Sequence, residues 1–203
     1  MDSLTLSIDT LTVDIVKADT FTIKYQDCKP EDFEITYGDN VTITQINPGR
    51  TISINRFSLF FKKKEIKLPK IQVGVPDLKK LSAEIDSGCL RISNLNIDQL
   101  DLDLDSGVIK LEQVKVQNAK ILCDSGLVNI EQLKVANICD IDVDSGKLTL
   151  KDSITDQCGY DIKCDSGITK LFGAVKLSSH KHWKKDGSPL FHIRVDSGMC
   201  TVK

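Results

Sequence analysis

The tripeptide Asp-Ser-Gly occurs six times in this chain of 203 residues, beginning at Asp86, Asp105, Asp124, Asp144, Asp165 and Asp196. The steps between copies are 19, 19, 20, 21 and 31 residues. A near-constant period of about 20 residues points to one supersecondary unit stacked on itself. The flanks repeat too. Two and four residues after each glycine stand Leu90/Ile92, Ile109/Leu111, Val128/Ile130, Leu148/Leu150, Thr169/Leu171 and Cys200/Val202. Seven and nine after the first three stand Leu95/Ile97, Val114/Val116 and Leu133/Val135. Ahead of the later aspartates run Leu100/Leu102/Leu104, Ala119/Ile121/Cys123, Cys139/Ile141/Val143, Tyr160/Ile162/Cys164 and Phe191/Ile193/Val195.

Each unit is therefore three short runs of strict alternation. A period of two puts one face inward and one outward. Arg91, Lys110, Asn129, Thr149, Lys170 and Thr201 fall at outward positions, as do Asp101, Asp103, Asp140, Asp142 and Asp161. A 20-residue unit cannot bury its own inner face, but units stacked one strand spacing apart bury a continuous apolar column. The expected fold is all-β: a single-stranded, β-helix-like β-solenoid whose equivalent strands pair in parallel. A sandwich would not need the same tripeptide at every return.

The tripeptide reads as a corner. Aspartate accepts from the amide two residues on, and glycine tolerates positive φ. The corner residues are Asp86 and Gly88, Asp105 and Gly107, Asp124 and Gly126, Asp144 and Gly146, Asp165 and Gly167, and Asp196 and Gly198. Stacking aligns their carboxylates about 4.8 Å apart, a repulsion of about 0.9 kcal/mol per pair in water. Turn hydrogen bonds or a bound cation must offset it. The turn is the expectation, since the calcium-binding glycine-rich nonapeptide is absent. No metal or other cofactor is expected.

Residues 1–85 lack the tripeptide but keep the alternation, and they are expected to cap and continue the solenoid of 86–203 within one domain. Their expected strands are Leu4–Ile8, Leu11–Ile15, Phe21–Tyr25, Phe33–Ile35, Val41–Ile43, Ile52–Ile54 and Ile71–Val75. Turns are expected at Pro30, at Gly38 to Asn40, at Asn47 to Gly49 and at Pro76-Asp77, with some antiparallel hairpins. The 31-residue step holds an insertion at 178–188, read as a protruding hairpin that turns at Asp186-Gly187. It carries His180, His182, Trp183, Lys184 and Lys185. These make a candidate contact surface, or else Trp183 packs back on the wall. The last coil, ending at Lys203, has no polar cap, so a second copy or the inserted hairpin is expected to cover it.

Composition narrows the function. Asp outnumbers Glu by 23 to 6, and the net charge is -2, so nucleic acid is not an expected partner. Basic runs such as Lys62-Lys63-Lys64 read as solvated ends. No apolar run approaches membrane-spanning length and no secretion signal precedes the first strand. The seven cysteines are irregularly spaced and read as free, buried small hydrophobes in a reducing compartment. Val195-Asp196-Ser197-Gly198 matches the aspartic-protease tripeptide, but such enzymes need two paired carboxylates rather than six copies at coil spacing. No nucleophile elbow, zinc-helix motif or phosphate loop is present. The expectation is a non-enzymatic binding or scaffold module for an unknown protein or surface ligand. The alternative is a carbohydrate-binding or carbohydrate-active β-helix, with the outward aspartates as its wall and cation dependence as an option.

The Asp-Ser-Gly coils from Asp86 to Lys203 resemble a bacterial family of β-strand-repeat domains of unknown function, labelled "putative adhesin". The strand Ile71 to Pro76, running into Leu81 to Gly88, is similar too, as are the opening strands Leu4 to Tyr25. The resemblance implies envelope sensing or surface interaction, with members often following a membrane anchor. It implies no catalytic residues.

Overall fold

The computed structural model describes residues 1–47 and 69–203. The expected strand Ile52–Ile54, the turn from Asn47 to Gly49 and the run Lys62 to Lys64 lie wholly or mainly outside the described residues. Among the described residues, thirteen strands form one sheet that winds around an apolar core. The first six are short: β1 (Ser3–Ile8), β2 (Thr12–Lys17), β3 (Thr22–Gln26), β4 (Phe33–Thr36), β5 (Asn40–Gln45) and β6 (Lys70–Val75). Six of the other seven carry the coil repeat: β7 (Leu78–Ser93), β8 (Asn96–Glu112), β9 (Lys115–Glu131), β10 (Lys134–Lys151), β11 (Gly159–Leu171) and β13 (Leu190–Val202), with β12 (Ala174–Lys185) between the last two in sequence. The division expected at residue 85 falls inside β7.

The alternation read from the sequence is the core. Leu100, Leu102 and Leu104 are buried, as are Ile109 and Leu111, and Val114 and Val116. β7 to β10 stack in parallel with one register, so Leu81, Leu100, Ala119 and Cys139 lie over one another. One inferred position behaves differently. Thr201, read as outward, is buried, because Thr149 and Lys170 flank it on both neighbouring strands. Thr169 points inward as its place in the repeat requires, fully buried, and its hydroxyl has no hydrogen-bond partner among the described residues. An unmatched buried hydroxyl costs about 1–3 kcal/mol. Thr169→Val is therefore expected to raise the melting temperature by about 3 °C. A lowered melting temperature would show that the hydroxyl is satisfied in solution.

The corner works differently from the turn expected. The chain stays extended through each tripeptide, so Ser87 and Gly88 pair with Ser106 and Gly107 as ordinary ladder residues. Their amides serve the next coil and are not free to bond back to the aspartate. Asp86, Asp105, Asp124, Asp144 and Asp165 accept no hydrogen bond among the described residues, and Asp196 accepts one from Arg194 Nε at 3.0 Å. The conserved feature of the corner is backbone proximity. A Cβ on Gly107 would lie 2.2 Å from the carbonyl oxygen of Gly88, and one on Gly126 2.6 Å from that of Gly107. Only a residue without a side chain allows coils to approach that closely.

The reversal sits elsewhere in the coil. Asn94, Gln113, Gln132 and Asp152, each six residues after a tripeptide glycine, have φ of 50–56°. Their amides donate to Glu112, Glu131, Lys151 and Lys203 carbonyls respectively. This left-handed step turns each coil and ties it to the next.

At the start of the chain the coil divides. β1 pairs with the first half of β7 and β2 with the second. Asp9 to Leu11 take the place of the tripeptide there, with Ser87 and Cys89 amides donating to the Asp9 and Leu11 carbonyls. β5 and then antiparallel β4 continue one wall, while β6 and then antiparallel β3 continue the other. The expected antiparallel hairpins are thus part of the opening cap.

At the other end the stack departs from chain order. β13 lies between β10 and β11, parallel to both, and β12 is the outermost strand, antiparallel to β11. The protruding hairpin expected at 178–188 is replaced by this long edge strand. Its turn is Phe172-Gly173, with φ of 47° and 86°, the conformation that suits a two-residue hairpin. Asp186-Gly187 lies on the return to β13. The last coil is therefore covered on both edges by this chain's own strands, and the free edge belongs to β12. Lysines are common on such edges because they discourage pairing with other chains.

Candidate functional site

The parallel register sets outward side chains in columns across the wall that precedes the corner. The column four residues before the corner reads Ser82, Asp101, Lys120, Asp140, His192, Asp161, Lys184 from β7 to β12. The column two residues before it reads Glu84, Asp103, Leu122, Asp142, Arg194, Lys163, His182. From Asp101 onward the first column alternates acidic and basic side chains at every strand. Alternation at one strand spacing replaces like-charge repulsion with attraction.

Specific contacts follow. Lys80 Nζ lies 3.1 Å from Asp101. His192 Nδ1 lies 2.9 Å from Asp140 Oδ1, and His182 Nε2 lies 2.9 Å from Asp161 Oδ1. Lys120, Asp140, Asp142, Asp161, Lys163, His192 and Arg194 ring a shallow, open depression of about 360 Å³. A neighbouring depression is acidic, lined by Asp103, Asp105, Asp124, Asp142, Asp144 and Asp196, with Arg194 at its margin. Partial burial raises the Asp142 carboxyl pKa; Arg194 opposes this, and Asp196 and Asp144 add to it. Arg194 is held more firmly protonated, first by its hydrogen bond to Asp196.

A carboxylate whose pKa is raised on folding binds protons more tightly in the native state, so it costs stability above its unfolded value and recovers it as the pH falls. Asp142→Asn is expected to raise the melting temperature by about 1–2 °C at pH 7, a small effect because the group is largely solvated. The gain should vanish below about pH 3.5. Parallel melts of both proteins across pH test it, and a gain that persists in acid would contradict the charge argument.

The structure divides the residues of the supposed hairpin. Trp183 is half-buried and packs against the core, opposite Ile162. It is a lid on the end of the stack and not an exposed contact. Lys185 donates to the Asp156 carbonyl and so ties β12 to the loop before β11. His182 and Lys184 point outward and complete the charged columns. The backbone of His180 passes opposite the corner at Asp165. The corner aspartates form a third, uniformly acidic column beside the mixed ones. The described residues contain no group of three ligating side chains placed to hold a metal ion.

The cysteines are all free, and five are buried, with Cys28 and Cys89 half-buried. Burial pushes the Cys123 thiol up to about 11 and Cys200 up to about 12. Such thiols are protonated at neutral pH and unreactive. Among the described residues no helix is long and apolar enough to cross a membrane.

The columns were only half legible beforehand. The alternation in the sequence places the outward aspartates, but many of the basic partners arrive through β13 and β12. Their positions depend on the inverted stacking order.

A family model described as Toastrack DUF4097 matches residues 1–188. Among solved structures, the chain is similar to a "putative cell adhesion protein" from Clostridium sporogenes, with 12% identity and a TM-score of 0.52, over 99% of this chain and 90% of that one. It is also similar to a "putative adhesin" from Bacteroides fragilis, with 13% identity and a TM-score of 0.42, over 97% and 90%. At such identity the first likeness speaks for the fold alone. No curated protein matches the sequence.

Proposed function

The chain belongs to the Toastrack DUF4097 family, as the resemblance of its repeat implied, and from that premise we propose that it is a non-enzymatic, adhesin-like binding module whose contact surface is the mixed-charge wall of β8 to β12. The observation that carries this reading is the alternating column Asp101, Lys120, Asp140, His192, Asp161, Lys184. It is a regular grid of acidic and basic side chains at one strand spacing, and part of it lines the shallow, open depression. A grid of that kind suits an extended polymer or a protein face with charges of both signs, and it suits neither a buried small molecule nor a polyanion.

Support for a non-enzymatic role comes from the two histidine–aspartate pairs. Both pairs are partly or fully exposed, and neither imidazole has a hydroxyl or thiol hydrogen-bonded to it among the described residues. Nucleophilic catalysis needs that third group within reach. The name of the Clostridium sporogenes neighbour, a "putative cell adhesion protein", favours surface interaction.

The test uses fluorescently labelled chain on intact cells of the organism that encodes it. Asp140→Lys with Asp161→Lys breaks the alternation on the wall. Lys110→Glu with Lys170→Glu changes the wall on the other side of the corner. Loss of at least five-fold in cell-bound signal is expected for the first pair only, with retention falling as salt rises. Equal retention of both variants would remove the charged wall from the reading.

A further inference from the structure

We propose that the gap between β10 and β11, filled in this structure by β13, is a strand-acceptor slot that takes the β13 of a second copy, so that two chains exchange their last described strands. Among the described strands β13 comes last in sequence, yet it is internal to the sheet. It makes twelve register pairs with β10 and twelve with β11. The hairpin of β11 and β12 precedes it in the chain, so the slot walls exist in sequence before their occupant. β10 and β11 are joined by residues 152–158, which climb two strand spacings, roughly 9–10 Å. Its two ends bond to the residues flanking the occupant, the Asp152 amide donating to the Lys203 carbonyl and the Gly159 amide to the Pro189 carbonyl, while its middle is held by contacts of its own. Ser153 Oγ accepts from the Leu133 amide and donates to the Lys151 carbonyl, and the Cys158 amide donates to Thr155.

The occupant is specified by charge. In the two wall columns β10 offers Asp140 and Asp142, and β11 offers Asp161 and Lys163. β13 sets His192 between Asp140 and Asp161, and Arg194 beside Asp142 with a contact to its own Asp196. No other coil strand carries basic groups at both positions: β7 has Ser82 and Glu84, β8 has Asp101 and Asp103, and β9 has Lys120 and Leu122. The inner face asks for Phe191, Ile193 and Val195, all buried, and the corner asks for glycine. A second copy of this strand meets every condition, and the other coils do not.

The hinge favours exchange. Only 186–189 separate β12 from β13, and 186–188 are exposed. Those four residues must carry the chain from the outer edge, past β11, to the far side. A short link under such a constraint closes more easily onto a neighbouring copy, because strand exchange keeps every native contact and relaxes the hinge.

The experiment uses full chains in a Cys28→Ser, Cys89→Ala background. One population carries Asp142→Cys and the other Arg194→Cys, a facing register pair close enough for a disulfide. The single-chain double variant serves as the geometric control. A second pair, Asp140→Cys and His192→Cys, covers failure of the first to fold. After the two populations are refolded together at high concentration and oxidised, a covalent heterodimer is expected, at a fraction that rises with concentration. Removing Gly187 and Ser188 should raise that fraction at least three-fold, and inserting four Gly/Ser residues should lower it. The proposal is overturned if the double variants cross-link within one chain while the mixed populations give monomer only. It is equally overturned if dimers form by mass without the 142–194 or 140–192 link, since that marks association through the β12 edge.

Discussion

Gly198→Ala is expected to cost more than about 3 kcal/mol of folding stability and to lower the melting temperature by roughly 10 °C. The added Cβ would lie 2.0 Å from the carbonyl oxygen of Gly146, and its backbone φ is +139°. The obstacle is backbone on the neighbouring coil, which cannot rotate away as a side chain can. On the other side, Gly167 already stands so near that its own Cβ would be 1.9 Å from the Gly198 carbonyl oxygen. Overpacking alone costs about 1–3 kcal/mol, and the φ adds about 1–2. Two controls separate the terms. Gly126→Ala keeps an ordinary φ and meets the Gly107 carbonyl oxygen at 2.6 Å, so it tests close approach alone. Gly173→Ala has φ of +86° with nothing within 4 Å, so it tests conformation alone at about 1 kcal/mol. Urea denaturation should rank the losses Gly198, then Gly126, then Gly173. If Gly173→Ala were the worst, the glycine column would not set the coil spacing.

That column explains why the fold could be read and where the reading stopped. A steric demand repeated at every coil forces one residue type at one period, and the sequence shows it openly. Inward alternation is equally visible, because Leu102, Ile121 and Ile141 must each fill the same layer. The aspartate was misassigned because its frequency at the corner invited a turn hydrogen bond, whereas the extended backbone leaves no amide for it. The left-handed residues carry a weaker signal, though Asn94, Gln113, Gln132 and Asp152 share one offset from glycine. Their polar side chains looked like ordinary loop composition. Stacking order was not legible at all. The placement of β13 beside β10 depends on a long hairpin turning at Phe172-Gly173, and Phe172 gives no turn signal. It is held there by Tyr160, with ring centroids 5.8 Å apart. Part of the charged wall was hidden for the same reason, since His192 and Arg194 gain Asp140 and Asp142 as neighbours only through that inversion.

Phe191→Ala is expected to remove about 3–5 kcal/mol, the range for emptying a fully buried aromatic site. Phe191 is 0% exposed and sits in register between Cys139 of β10 and Tyr160 of β11. Its loss should act unevenly. In a stacked repeat each coil holds only its neighbours, so stability is a sum of local terms joined in series. Among the described strands, β12 pairs only with β11, and β11 pairs with the rest of the stack only through β13. A cavity under Phe191 therefore weakens the one junction holding three strands. Hydrogen exchange should show β11, β12 and β13 losing protection together, while β8 and β9 keep theirs. Phe33→Ala supplies the contrast at the opposite end, where Phe33 packs against Tyr25 in the opening cap. It should leave β11 to β13 unchanged. Loss of protection spread evenly over all strands in Phe191→Ala would mean that the solenoid opens as one unit. Loss confined to β11–β13 would mean that the junction opens separately, which is the motion that exchange of β13 between two copies requires.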